Sequence, residues 1–373
     1  MQIIPSLNQG GVERGTVEIA GALQKAGMKN CVVSEGGRLV AELERLGIEH
    51  ITLPVASKNP LTIIRNSKRI AKIAQAKGVR IMHVRSRAPA WSTAAASKRT
   101  GIPFISTYHG VYGTKPRCLK IPYNRIMLKG DKVIAPSNFV RDHIMQTYGT
   151  AAEKIVVIPR GADTSIFNPE RVDANRIMEV RASYGIPPDT PVLSLVGRLT
   201  RIKGQTLLLD ALAATKPRRL ALLLVGSDQG RTEYTEELKR LIAKLPPGFT
   251  VKIVQSSPDM PETYAISDIV VSPSLVPEAF GRTIPEAQAM ERVVVAAGHG
   301  GACETIDDGK TGFLFPAGDA RALAGLLEKL LDMPQEKLDE VRRRAGVAAR
   351  QNFSAEKMCA ATIGLYRSIM AGE

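Results

Sequence analysis

The sequence predicts an α/β chain built as two doubly wound domains in series, and three observations carry that expectation. At 373 residues the chain exceeds one ordinary core, and two domains of roughly 150–200 residues are the natural division. Apolar runs bounded by Gly or Pro alternate with segments of helical period, the pattern of a parallel sheet covered by helices on both faces. The alternation breaks in "GADTSIFNPERVD" (161–173), a polar segment with a proline and no periodicity, and starts again at residue 191.

In the first half, strands are expected at "IIPSL" (3–7), "NCVVSE" (30–35), "IEHITLP" (48–54), "VRIMHV" (79–84), "PFISTYH" (103–109), "KVIAPS" (132–137) and "IVVIP" (155–159). Helices are expected between them, as over 12–27 and 61–78. In the second half the strands are "PVLSLVG" (191–197), "LALLLVG" (220–226), "TVKIVQ" (250–255), "DIVVSPS" (268–274), "VVVAAG" (293–298) and "TGFLFP" (311–316), with helices over 205–215 and 232–244. Two such domains are expected to face one another across a cleft. Ligands of open α/β sheets bind outside the carboxyl ends of the strands, so the residues that follow strands are the candidates.

Composition narrows the classes. Hydrophobic residues make up 44% and charged residues 23%, a globular balance. No apolar run approaches the roughly 18–20 residues that span a bilayer, and "MQIIPSLNQGG" lacks the basic start and cleavage site of a secretory signal. Cys31, Cys118, Cys303 and Cys359 form no CxxC and stand near no histidine, which argues for small, buried or partly buried thiols in a reducing compartment rather than a zinc site. The charge is uneven. Residues 1–165 hold 25 basic and 10 acidic residues, 25 − 10 = +15, whereas residues 166–373 hold 26 of each. Within 58–132 there are 17 basic residues and one acid, Asp131, giving 17 − 1 = +16. A field of that sign concentrates anionic partners.

Three stretches follow strands. "NQGGVERG" opens the first helix, where Gly10 and Gly11 permit close backbone approach and a helix N-terminus favours an anion. "GRLTRIKG" (197–204) sets Arg198 and Lys203 five positions apart between glycines, two cations that suit a diphosphate. "PEAFGRTIPEA" (277–287) holds Glu278 and Glu286 with seven residues between them, and Pro285-Glu286 fits the start of a helix. The amides around Gly281–Ile284 would then point free at phosphate oxygens. Each stretch alone is compatible with an ordinary turn.

Together, in this order and at these strand ends, the three resemble the retaining glycosyltransferases of family 4, which have the GT-B fold. The resemblance extends to "YHG" (108–110), "IPRGAD" (158–163), "VGSDQGR" (225–231), "GHGGACETIDDGKTGFLFPAGD" and "FSAEKMCAATIGLYRSIM", nearly the whole chain. It implies an N-terminal acceptor-binding domain over 1–165, a nucleotide-sugar-binding domain over 166–353, and a C-terminal helix over 354–373 crossing back to the N-terminal domain. It implies that Gly10 and Gly11 approach the donor phosphates and that Arg198 and Lys203 clamp the diphosphate. Glu278 would bind the donor sugar's hydroxyls. The backbone at Phe280, Gly281, Thr283 and Ile284 would bind sugar and phosphate, and Glu286 the ribose hydroxyls. His109 would face the transferred sugar, while Gly226 and the segment near Gln255 would shape the base pocket. No cofactor and no metal are implied: the nucleotide-sugar is the substrate and UDP or GDP the product. The implied chemistry is hexose transfer with retention, so the two carboxylates are binding groups rather than the acid/base pair of a glycosidase.

The sequence departs from the family pattern at Arg160, where Asn is commoner, at Pro277, and at the serines of "VQSSPDMPETY" (254–264). On the acceptor side, Arg65, Lys68, Arg69 and Lys72 share one side of the 61–78 helix, and Lys115, Arg117 and Lys120 stand among Tyr112, Leu119, Ile121 and Tyr123. Basic residues mixed with apolar ones suit an anionic membrane surface. The expected partner is an envelope glycan or glycolipid acceptor, such as a lipopolysaccharide core, at the inner face of the cell membrane, with the protein cytoplasmic and peripheral. A GT-B sugar-nucleotide epimerase and a basic nucleic-acid-binding protein are the alternatives. The epimerase fits the paired motifs less well, and no HTH, RRM or zinc pattern supports nucleic-acid binding.

Overall fold

The structure, a computed structural model, describes residues 1–8, 10–255 and 259–372, with Arg117 described by its backbone only. The chain divides into two compact units, Met1–Arg160 with Ala355–Glu373, and Gly161–Ser354. The division therefore falls after Arg160 rather than at 165. The Ala162 amide donates to the Phe353 carbonyl at 2.8 Å, and Ala162 bridges Ser354, which ties 161–165 to the second unit.

The first unit is a seven-stranded sheet of β1 (Gln2–Ile3), β2 (Cys31–Ser34), β3 (Glu49–Thr52), β4 (Met82–Val84), β5 (Phe104–Thr107), β6 (Val133–Ala135) and β7 (Ile155–Val157). All pairs are parallel, in the order β3-β2-β1-β4-β5-β6-β7. Parallel neighbours cannot be joined by a hairpin, so each step needs a crossover, here mostly a helix. β1 stops early because Pro5 has no N–H to give the ladder; Leu7 instead donates to the Gly36 carbonyl at 2.8 Å. The chain runs outward from β1 to β3, then returns to the far side of β1 with β4, so the switch point lies between β1 and β4. The last helix, Ala355–Ala371, buries Met358, Cys359, Ile363 and Tyr366 against Ile19, Leu23, Ile105 and Ile158. Its Tyr366 hydroxyl meets His83 Nδ1 at 2.5 Å.

The second unit repeats the plan with β8 (Val192–Val196), β9 (Leu220–Val225), β10 (Phe249–Val254), β11 (Ile269–Ser272), β12 (Val293–Ala297) and β13 (Phe313–Phe315). The order is β10-β9-β8-β11-β12-β13, all parallel, with the switch point between β8 and β11. β9 and β12 are buried along their whole length, as expected of strands covered on both faces. Leu193, Leu195, Leu222, Leu224, Val271 and Val295 join the core on the face packed by the 205–213 and 320–331 helices. Two of the cysteines differ from expectation: Cys118 and Cys303 are exposed, while Cys31 and Cys359 are buried, and all four thiols are free.

Candidate active site

In the second unit, the loops leaving β8 and β11 are stitched together beyond the switch point. The Leu275 amide donates to the Ile202 carbonyl at 2.9 Å. Gly204 takes a left-handed φ of 74°, and a Cβ there would collide with the Pro273 carbonyl, so the closing glycine of "GRLTRIKG" is what lets the two loops touch. Lys203, in a 3-10 turn over Arg201–Lys203, lays its aliphatic stem over Gly197 and reaches across the seam. Its Nζ pairs with Glu278 Oε1 at 2.8 Å, with side chains only 18% and 25% exposed. The Ser274 hydroxyl donates to the same Glu278 oxygen. Burial pushes the Glu278 carboxyl up, but the Lys203 ammonium and the hydrogen bonds from Lys203 and Ser274 outweigh it and hold the group below its ordinary value. Arg198 is exposed at the end of the same strand and forms no ion pair among the described residues; only its carbonyl is engaged, accepting from Gln205 Nε2 at 2.9 Å.

Glu286 lies in the helix Thr283–Ala289. Its Oε2 accepts from the Tyr264 hydroxyl at 3.1 Å, and its Oε1 stands 3.5 Å from Arg282 Nε. Burial and the Glu286 charge together push the Tyr264 hydroxyl well above its usual range, so it stays protonated and donates. The expectation of free amides over Gly281–Ile284 needs correction. The helix begins two residues before Pro285, and a turn closes on Gly281, so the Ile284 amide is spent on the Gly281 carbonyl at 3.1 Å. The Ile284 side chain is buried, as is Phe280, which packs edge-on against Phe353 at 5.8 Å. Thr283 opens the helix and is half-buried.

Gly226 serves a backbone crossing: a Cβ there would strike the Gly197 carbonyl, so the β9 exit rests directly on the start of "GRLTRIKG". Gln255 is exposed and engages Asp228 through both ends of its amide, each at 3.4 Å. Ser256 and Ser257, the other departure noted near the expected base pocket, lie outside the described residues.

One side chain of this site escapes the sequence reading. His299, in the "GHGG" that leaves β12, lines a small cavity with Ser272, Ser274, Glu278 and Phe280. Its Nε2 meets the Ser274 carbonyl at 2.9 Å. The same loop carries the backbone of the acidic stretch: Gly301 donates to the Glu278 carbonyl at 2.8 Å, and a Cβ on Gly300 would lie 2.6 Å from that oxygen. The available signal was adjacency, since β11 and β12 are neighbours and both exits carry polar residues.

In the first unit, Gly10 precedes the helix Gly11–Lys25 and caps it without a side chain. A Cβ on Gly10 would lie 2.5 Å from a Glu13 carboxylate oxygen. The Gly11 carbonyl accepts from Arg160 Nη2, and Arg160 Nη1 reaches His109 Nδ1 at 3.0 Å. Arg160, read from sequence only as a departure, thus joins the expected glycines to the expected histidine; it is 7% exposed. Burial, then the Arg160 and Arg85 charges, hold the His109 imidazole well below its ordinary pKa, so it is neutral at pH 7. Arg87 lies 4.0 Å over the Tyr112 ring and donates to Asn124 at 3.0 Å, bracing the segment after His109.

The basic residues of the 60–76 helix stand where the periodicity puts them. Arg65, Lys68, Arg69 and Lys72 are all exposed, with Asn66, Ser67, Ile70, Ala71 and Ala74 on the buried face. Leu61 and Ile64, 66% and 49% exposed, share the solvent side with the cations. Lys115 and Lys120 are exposed too; the Arg117 side chain lies outside the described residues. Among the described residues no helix is long and apolar enough to cross a membrane, and no group of three His, Cys, Asp or Glu side chains is placed to hold a metal ion.

Comparison with known proteins places both units. The model of Glycosyltransferase Family 4 matches residues 9–166, and that of Glycosyl transferases group 1 matches residues 177–352. The crystal structure of a glycosyltransferase from Rickettsia africae is 37% identical and superposes with a TM-score of 0.89, covering 100% of this chain and 99% of that one. Anabaena HepE, solved with UDP and glucose, is 25% identical with a TM-score of 0.83 over 99% and 100% of the two chains. The D-inositol 3-phosphate glycosyltransferase of Acidothermus cellulolyticus is 30% identical over 298 residues, 74% of this chain. The match spans 64% of that relative's length.

Proposed function

We propose that this chain, which belongs to the group 1 glycosyltransferases and has the GT-B fold, transfers a hexose from a nucleotide diphosphate sugar to an anionic glycan or glycolipid acceptor. One observation carries the proposal: a half-buried lysine–glutamate pair, Lys203 and Glu278, stands at the carboxyl ends of β8 and β11, where the strand order reverses. A binding pair of this kind can part, leaving the ammonium for a phosphate and the carboxylate for sugar hydroxyls. HepE, solved with UDP and glucose, supports UDP as the first base to test, with GDP next.

In the step proposed, the bond from the anomeric carbon to the diphosphate oxygen breaks and a bond from that carbon to the acceptor oxygen forms on the same face. The acceptor's proton passes to the departing diphosphate, so configuration is retained. Lys203 and Arg198 stabilise the charge that grows on the leaving group, and the reaction runs without a metal. Glu278 holds the donor sugar and Glu286 the ribose, neither acting as an acid or base. His109 faces the transferred sugar.

The acceptor is assigned to the first unit, whose 58–132 region carries the charge excess. The relative from Acidothermus, named for an inositol phosphate acceptor, supports an anionic one. An envelope glycolipid such as a lipopolysaccharide core, met at the inner membrane face by the exposed cations with Leu61 and Ile64, is the finer form of the proposal.

The test is a panel of UDP- and GDP-sugars assayed for donor hydrolysis and thermal stabilisation, with and without EDTA, followed by NMR of the product anomer. Sugar release from one donor with the anomeric configuration kept supports the proposal. An inverted product, or activity abolished by EDTA and restored by a divalent ion, overturns the retaining or the metal-independent part. Salt-sensitive DNA binding with no donor turned over would favour the nucleic-acid alternative.

A further inference from the structure

We infer that Arg160 is a positioning residue that fixes His109 as a neutral hydrogen-bond donor through Nε2 and removes it as a base; the consequence for catalysis, though not the tautomer itself, rests on the function proposed above. A guanidinium is always protonated and can only donate. Its Nη1 lies 3.0 Å from His109 Nδ1, so that nitrogen must be the acceptor. The single proton of the neutral ring is then on Nε2. Nε2 is buried and meets no hydrogen-bond partner among the described residues, so its N–H is left for an oxygen that a ligand would bring.

Arg160 is itself held. It is 7% exposed, and its second nitrogen donates to the Gly11 carbonyl at the head of the first helix. A Cβ on Gly15 would run into the same guanidinium, so the glycine at that position makes room for it. The ring has one lone pair in this state, and Arg160 occupies it. His109 can therefore donate to a hydroxyl of the transferred sugar but cannot take the acceptor's proton. In the transfer proposed above that proton passes to the departing diphosphate.

The other charged and titratable groups near His109 act in the same direction. Arg85 opposes a second positive charge on the ring. Tyr112, whose hydroxyl meets the His109 backbone amide, is pushed up to about 12 by burial and stays neutral. No acid is among the groups that shift this histidine.

The test uses the full chain labelled with 15N in its 5 histidines, with His109 assigned from the His109→Gln variant. Long-range proton–nitrogen spectra between pH 5 and 8 should show His109 protonated at Nε2 alone throughout. A ring protonated at Nδ1, or doubly protonated at pH 7, overturns the inference. Arg160→Met should release a mixture of tautomers and raise the pKa, whereas Arg160→Lys should partly restore the single form. An Arg160→Met spectrum identical to the wild type's overturns it too. If Arg160→Met does not fold, the wild-type titration still decides. With an active donor, Arg160→Met should slow transfer about tenfold, the worth of one hydrogen bond, and have no further effect in the His109→Ala background. A full tenfold loss in that background would mean that Arg160 acts elsewhere. A chain that turns over no sugar would sink the proposed function and leave the tautomer result standing.

Discussion

Replacing Lys203 with alanine tests the seam between the β8 and β11 loops most directly. The ion pair is 2.8 Å long and its side chains are 18% and 25% exposed. At an effective dielectric near 20, unit charges about 4 Å apart attract by about 4 kcal/mol. Desolvation offsets part of that, so stranding the carboxylate should cost about 1–3 kcal/mol of stability at pH 7. The dependence on pH distinguishes this from loss of packing. In the native protein the Glu278 pKa is depressed, so its contribution is present above the ordinary carboxyl value of about 4.3 and is lost as pH falls through the lower folded value. Without Lys203, burial dominates, the pKa rises, and the penalty disappears as pH falls through that raised value. Urea unfolding of both proteins at pH 7 and pH 4.5 should therefore show the stability gap shrinking on acidification. In the donor assay kcat should fall on the order of 100–1,000-fold, the usual effect of removing one group aimed at transition-state charge. A gap that does not change with pH, or an unchanged kcat, refutes the reasoning.

Glu286→Ala should weaken nucleotide binding by about 1–3 kcal/mol, read by calorimetry; an unaltered Kd would remove the ribose role. Gly204→Ala should destabilise the second unit by at least about 2 kcal/mol, because φ at 74° is left-handed and the Pro273 carbonyl fills the space a Cβ needs; a neutral result in chemical denaturation would show that the loops can part cheaply. Reversing Arg65, Lys68, Arg69 and Lys72 to Glu should abolish sedimentation with anionic vesicles at low salt, each cation near such a surface contributing about 1 kcal/mol. Equal binding of the wild type to neutral and anionic vesicles would refute the membrane surface altogether.

The sheet order explains why so much of the site was legible. A chain that restarts its strand pattern at residue 191 and runs outward before returning must place its first and fourth strands side by side, so "GRLTRIKG" and "PEAFGRTIPEA" were bound to meet. What periodicity cannot supply is the partner of each side chain. Lys203 read as a phosphate ligand and Glu278 as a sugar ligand; that the two neutralise one another depends on rotamers across 75 positions of chain. Gly226 read as part of a pocket wall, yet it is a glycine because the Gly197 carbonyl crosses above it. Arg160 looked like noise in a motif, because nothing local says that residue 160 returns to the helix start at Gly11.

These pairings also bear on how the two acids compare with a hydrolytic couple. An acid/base pair needs one carboxyl raised and kept protonated while the other stays charged. Here Glu278 is held low by Lys203 despite its burial, and Glu286 carries its own cation, Arg282, and its own donor, Tyr264. Glu278 is thus held ionised rather than ready to give up a proton, and Glu286 is already committed to accepting hydrogen bonds. With its one lone pair taken by Arg160, His109 is not set up to remove an acceptor's proton. In the proposed transfer that task passes to the substrate's own diphosphate.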